Sequence, residues 1–224
     1  MKCAACTAKN MPCQIKICGL SDEASIHVAI HAGANYIGLV HFAKSPRHVS
    51  LKQAAMLRKQ LLPPIKSVLV VVNPDDALLE NIIKNVKPDY IQLHGHETPA
   101  RTAEIHTQYP TQKLIKAIPI STKEDLAQVK DYTPSIDMFL FDAMPPKNTN
   151  LPGGNGVAFD WKILQGFRCT KPWILSGGLT GDNVQHAIRQ TGAKLVDVSS
   201  GVESTAGKKD PTKIKGFIAR AGQN

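Results

Sequence analysis

Short runs of valine, isoleucine and leucine alternate along the chain with longer segments whose apolar residues recur every three to four positions. The runs lie at Gln14–Cys18, Tyr36–Val40, Ser67–Val72, Tyr90–Leu93, Lys113–Ala117, Met138–Phe141, Trp173–Leu175 and Leu195–Val198. Most are apolar at nearly every position, the mark of strands buried on both faces. The segments between them are Asp22–His31, Leu51–Leu61, Asp76–Val86, Thr98–Tyr109, Thr122–Tyr132, Trp161–Phe167 and Asp182–Thr191, with Pro211–Ala221 closing the chain. Their i, i+3, i+4 spacing predicts amphipathic helices. Ser21, Ser50, Asp75, Thr122 and Asp182 stand where N-caps belong.

Strict alternation of strands and helices implies a parallel sheet with right-handed crossovers. Eight units close naturally into a single (β/α)₈ barrel, a TIM barrel, and the length of 224 residues suits one such domain. A doubly wound open sheet is the alternative, but no G-x-G-x-x-G follows the first strand. The predicted organisation is an N-terminal extension over Met1–Cys13, expected to be flexible, and a barrel over 14–224. The longest irregular stretch, Ala143–Ala158, is rich in proline and glycine and reads as a lid or a disordered loop.

Composition changes this picture little. Charged residues make up 20% and hydrophobic ones 42%, which argues against disorder. No run approaches a membrane span and the N-terminus lacks a signal's apolar core, so a cytoplasmic protein is expected, without membrane partners. The net charge of +9 raises nucleic-acid binding, but the basic residues are scattered, so no nucleic-acid partner is expected and the charge is read as attraction for small anions. Five cysteines are too odd a count for a disulfide framework. Cys3 and Cys6 form a C-x-x-C pair with no second pair to complete a zinc site, so no metal is expected.

In such barrels the active site lies at the C-terminal ends of the strands. Strand alternation points Lys16 and Cys18 inward, where a thiol beside an ammonium can act as base or nucleophile; a small buried hydrophobe is the plainer reading of Cys18. Asp142 follows a run of large apolar residues, where desolvation would suit it to general-acid work; it could equally pair with Lys116 or Lys16. Gln92 and His94 share the inward face and can orient a ligand hydroxyl or a catalytic group, and Asp197 can accept from a sugar hydroxyl. Arg47, after the second strand, can clamp a carboxylate with its fork of donors or stand exposed in the loop. Strands seven and eight both stop in small-residue turns, Ser176–Leu179 and Ser199–Val202, which together suit a phosphorylated small molecule.

These residues are similar to those of the phosphoribosylanthranilate isomerase family. The matching stretches are Lys16-Ile-Cys-Gly-Leu20, Gly33-Ala-Asn-Tyr-Ile-Gly38, Lys44-Ser-Pro-Arg47, Gln92-Leu-His-Gly95 and Phe141-Asp-Ala143. They continue with Leu151-Pro-Gly-Gly-Asn-Gly156, Leu175-Ser-Gly-Gly-Leu179 and Asp197-Val-Ser-Ser-Gly-Val-Glu203, spanning about 14–222. The resemblance implies an Amadori rearrangement, aldose to ketose, with Asp142 as general acid and Cys18 as general base. It implies that Arg47 meets the anthranilate carboxylate, and that Gly177, Gly178, Ser199, Ser200 and Gly201 bind phosphate. No cofactor is implied, and the molecule would be a monomer or a homodimer. The related isomerase of histidine biosynthesis uses two aspartates, so Cys18 favours the anthranilate enzyme. A non-catalytic phosphosugar-binding barrel would have lost the acid or the base.

Overall fold

A computed structural model describes residues 12–145, 153, 154, 156 and 158–223. Eight parallel strands close into a barrel in chain order. They are β1 (Gln14–Cys18), β2 (Tyr36–Val40), β3 (Lys66–Val71), β4 (Tyr90–Leu93), β5 (Lys113–Ile120), β6 (Met138–Ala143), β7 (Trp173–Leu175) and β8 (Leu195–Val198). The barrel closes between β8 and β1, with Lys16 opposite Asp197. The TIM barrel expected from the alternating pattern is the fold of this chain.

Strand alternation divides the core in two. Outward residues such as Ile15, Ile17, Ile91, Phe139 and Val196 join the helices in one continuous apolar layer. Inward residues Val68, Ile115, Met138, Leu140, Ile174 and Leu195 fill the barrel itself. Each large side chain so buried contributes about 1.5–3 kcal/mol, enough in sum to fix the strand faces. The barrel is thereby filled below, with Tyr36 and Tyr90 packed at its lower end.

The helices α1 (Glu23–Ala32), α2 (Leu51–Arg58), α3 (Asp76–Asn81), α4 (Pro99–Gln108), α5 (Val129–Tyr132), α6 (Val184–Thr191) and α7 (Pro211–Ala221) follow the predicted segments. Ser50 and Asp75 cap as expected, each accepting from the N–H three residues on. Two caps differ. Asp22, not Ser21, caps α1, its carboxylate taking both the N–H and the hydroxyl of Ser25. Asp182 does not cap α6; it is exposed and pairs with Arg220 at 2.6 Å, while Asn183 takes the N–H of Thr180. Trp161–Leu164 is a single 3-10 turn rather than a helix to Phe167, since Gly166 enters the left-handed region and leaves too few residues to nucleate an α-helix. Lys123–Gln128 is also 3-10, and α3 runs on into a π-turn over Ile82–Val86.

After β8 a short hairpin, β9 (Glu203–Thr205) and β10 (Lys208–Lys209), folds back beside the barrel mouth. Cys13 is buried at the foot of β1; Cys3 and Cys6 lie outside the described residues, as does much of the Ala143–Ala158 loop. Among the described residues no helix is long and apolar enough to cross a membrane, and no group of three His, Cys, Asp or Glu is placed to hold a metal ion.

Candidate active site

The upper ends of the strands open on a cleft. Cys18, Arg47, Gln92, His94, Asp142, Gly177, Gly178, Asp197, Ser199 and Ser200 all line it. Gly201 stands just behind, where a side chain would collide with the Leu179 carbonyl. The fold thus gathers in one place residues spread over 184 positions of sequence.

Cys18 is the last residue of β1 and is buried. Below it the Lys16 ammonium donates to Asp197 Oδ1 at 2.9 Å, with both side chains out of solvent. Asp197 Oδ2 accepts a longer bond, 3.4 Å, from the Ser176 hydroxyl. Burial opposes the Lys16 charge, but Asp197 and Cys18 more than offset it and hold the ammonium's pKa above its ordinary value. Burial pushes the Cys18 thiol up and Asp197 adds to this; Lys16 and Lys209 pull it down without cancelling the rise. The ammonium that was expected to favour a thiolate is already matched by a carboxylate, so the unliganded cleft favours the thiol.

Asp142 lies across the barrel, near the end of β6. Its Oδ1 accepts the N–H of Ala143 at 2.9 Å, and its Oδ2 is 3.4 Å from His94 Nε2. His94 Nδ1 is 2.7 Å from the Gln92 amide. Neither candidate lysine takes Asp142. Lys16 goes to Asp197, and Lys116 goes to Glu97 at 2.6 Å. The carboxyl is therefore left facing the cleft.

Arg47 is buried, not an exposed loop charge. Its Nε and Nη2 meet the two oxygens of Glu203 at 2.7 and 2.9 Å. The Ser199–Val202 turn stands beside this pair: a Cβ on Gly19 would touch both Arg47 Cδ and Ser199 Oγ, and Lys209 joins Ser199 to Glu203. In the Ser176–Leu179 turn, Gly178 has φ +63°, and a Cβ there would sit 2.5 Å from the backbone N of Ala158, so the turn admits no side chain. The N–H groups of Gly177, Gly178 and Leu179 make no hydrogen bond among the described residues. The 3-10 turn Ser200–Val202 faces the same cleft, and its first N–H groups have no partner within the turn.

Three charged residues escaped the sequence reading. Glu203 and Lys209 come from the hairpin after the phosphate-type turn, and their carboxylate and ammonium meet at 2.7 Å. Glu97 binds Lys116, the N–H groups of Asn73 and Gly95, and so ties the β3, β4 and β5 loops together. Glu203 stood in a recognised stretch, but nothing in its neighbours said that it would be buried. Glu97 and Lys209 sit in polar loop sequence that looks solvated.

Comparison with known proteins agrees with this geometry. The family profile for N-(5'-phosphoribosyl)anthranilate (PRA) isomerase matches residues 15–220. The N-(5'-phosphoribosyl)anthranilate isomerase of Paracoccus denitrificans is 51% identical over 94% of this chain and 98% of its own length. That of Rhodopseudomonas palustris is 49% identical over 94% and 96%. Among solved structures, the Thermotoga maritima phosphoribosyl anthranilate isomerase superposes with a TM-score of 0.83 at 31% identity, covering 93% of this chain and 98% of its own. Another solved phosphoribosyl anthranilate isomerase, with a TM-score of 0.79 at 30% identity over 93% of this chain and 98% of its own, holds reduced 1-(o-carboxyphenylamino)-1-deoxyribulose 5-phosphate. With a match this long, at identities near one half, the chain belongs to the phosphoribosylanthranilate isomerase family, enzymes of tryptophan biosynthesis.

Proposed function

We propose that this isomerase converts N-(5-phosphoribosyl)anthranilate to 1-(2-carboxyphenylamino)-1-deoxyribulose 5-phosphate, the third step from chorismate to tryptophan, with Asp142 as general acid and Cys18 as general base. The observation that carries the reading is that the Cys18 thiol and the Asp142 carboxyl, which takes no lysine among the described residues, open on one cleft together with Arg47 and the two small-residue turns.

Asp142 gives its proton to the furanose ring oxygen as the C1–O bond breaks, and the anthranilate nitrogen becomes a protonated imine. Cys18, as thiolate, takes the proton from C2, and the electron pair moves to form the enolamine. Tautomerisation gives the ketone. One proton is given and one taken, so the reaction is an isomerisation that asks only for placed acids and bases. His94 stands against Asp142 and is itself held by Gln92. Asp197 holds Lys16 below the thiol and keeps lone pairs for a sugar hydroxyl. Gly177, Gly178, Ser199, Ser200 and Gly201 grip the phosphate, and Arg47 meets the carboxylate.

Turnover of phosphoribosylanthranilate by Cys18→Ala and Asp142→Asn tests the assignment. Each loss should reach about 10²–10⁴-fold, the usual worth of a general acid or base. The reduced product analogue should still bind. Full activity in both variants would overturn the assignment of acid and base to these two residues.

A further inference from the structure

The hairpin after β8 presents an arrangement that the proposed chemistry does not use. Glu203 is buried, and its carboxylate receives four donors. Oε1 accepts from Arg47 Nε and Lys209 Nζ, both at 2.7 Å. Oε2 accepts from Arg47 Nη2 at 2.9 Å and from the Gly207 N–H at 3.2 Å. Lys213 Nζ grips the Glu203 backbone carbonyl at 2.7 Å. Four donors occupy all the lone-pair sites of a carboxylate, so Glu203 has nothing left for a ligand. Burial works against its charge, but Arg47 and Lys209 hold the carboxyl below the usual range.

The Nε–Nη2 edge of the guanidinium is taken by Glu203. Nη2 also reaches the Gly154 carbonyl at 3.3 Å. Nη1 makes no hydrogen bond among the described residues, and Arg47 lines the cleft. The side chain arrives over Gly19, where a Cβ would stand 2.5 Å from Arg47 Cδ, so its approach is fixed from below as well. The cluster carries two cations, Arg47 and Lys209, against one carboxylate, all out of solvent. That leaves one unmatched positive charge at this end of the cleft, a costly state until an anion joins it.

We propose that Glu203 is a positioning residue for substrate recognition: it holds the Arg47 guanidinium by the Nε–Nη2 edge and turns Nη1 toward the substrate's aromatic carboxylate. The inference rests on the reading of Arg47 as the carboxylate clamp. Lys209 keeps Glu203 ionised and in place while leaving the cluster one charge positive. A lysine at 47 could not serve, since it cannot give one edge to Glu203 and another to the ligand.

A double-mutant cycle between Glu203→Gln and Arg47→Ala decides the point. The readouts are KM and kcat with phosphoribosylanthranilate and, independently of turnover, the Kd of the reduced product analogue by calorimetry. Glu203→Gln should raise KM and Kd at least about tenfold, with kcat within about twofold, as loss of uniform binding does. In the Arg47→Ala background the same change should move either constant by less than about twofold, because its effect runs through the missing guanidinium. Additive effects, or an unchanged KM in Glu203→Gln, would overturn the proposal. Should Glu203→Gln fail to fold, Glu203→Asp keeps the charge but draws it back one methylene, and an intermediate rise that vanishes without Arg47 is expected. Full activity of Cys18→Ala and Asp142→Asn would instead sink the assigned chemistry, while an additive cycle beside two inactive variants would sink only the role of Glu203.

Discussion

The two sides of the barrel mouth both bury charged groups and arrange them differently. On the β8–β1–β2 side, Lys16, Arg47 and Lys209 are buried against only Asp197 and Glu203. On the β4–β5–β6 side, Lys116 is matched one to one by Glu97, and among the described residues Asp142 meets a histidine and a backbone N–H. One side has a cation to spare, and the other has a carboxyl to spare. Under the proposed function, a substrate with a phosphate and a carboxylate is drawn toward the first, where the thiol sits, and the proposed acid, Asp142, stands on the second. The lesson is that buried charge serves different ends within one rim: closed pairs hold loops in place, and open ones await a ligand.

The largest expected effect breaks the closed side. Lys116→Met leaves Glu97 buried without its ammonium and should cost about 3–5 kcal/mol of stability, seen as a fall in Tm. Lys116→Met with Glu97→Gln together should recover most of that loss, and no recovery would mean the pair is not the cause. On the open side, Arg47→Ala should raise KM tenfold or more, about 1.4 kcal/mol or above, with a smaller change in kcat. A large fall in kcat at unchanged KM would contradict a ground-state clamp.

The pH profile sharpens the contrast further. Cys18 works as a base only when deprotonated, and burial lifts its pKa above that of an ordinary thiol. Hence kcat/KM, which reports the free enzyme, should still be climbing at about pH 8.5. A profile already level at neutral pH would show that the cations of this side outweigh burial. The smallest effect is expected away from both sides: Asp182→Ala removes an exposed pair with Arg220 and should change stability by no more than about 0.5 kcal/mol in a denaturant titration.

Much of this was legible in the chain. Strand faces follow from period two, so Lys16, Cys18, Gln92, His94 and Asp197 read as inward from alternation alone. Seven of the eight predicted helical segments contain α-helix; the turn at Trp161–Leu164 is the exception, because Gly166 and the preceding glycine-rich stretch leave it too short. The cap assignments failed where two candidates lay side by side, as Ser21 and Asp22 do, since sequence does not say which backbone leaves the helix first. What stayed hidden were partners. Nothing in a local window says that Arg47 finds Glu203, 156 positions away, or that Lys16 finds Asp197 rather than Asp142.

The sequence by itself determined the repeat of strand and helix, the inward and outward faces, and the glycine turns where a phosphate can be gripped, because these depend on periodicity and on backbone freedom, which are local. Only the tertiary structure decided which buried charges are paired and which are left open. That depends on closure of the barrel between β8 and β1 and on the hairpin folding back over its mouth, and both bring together groups from opposite ends of the chain.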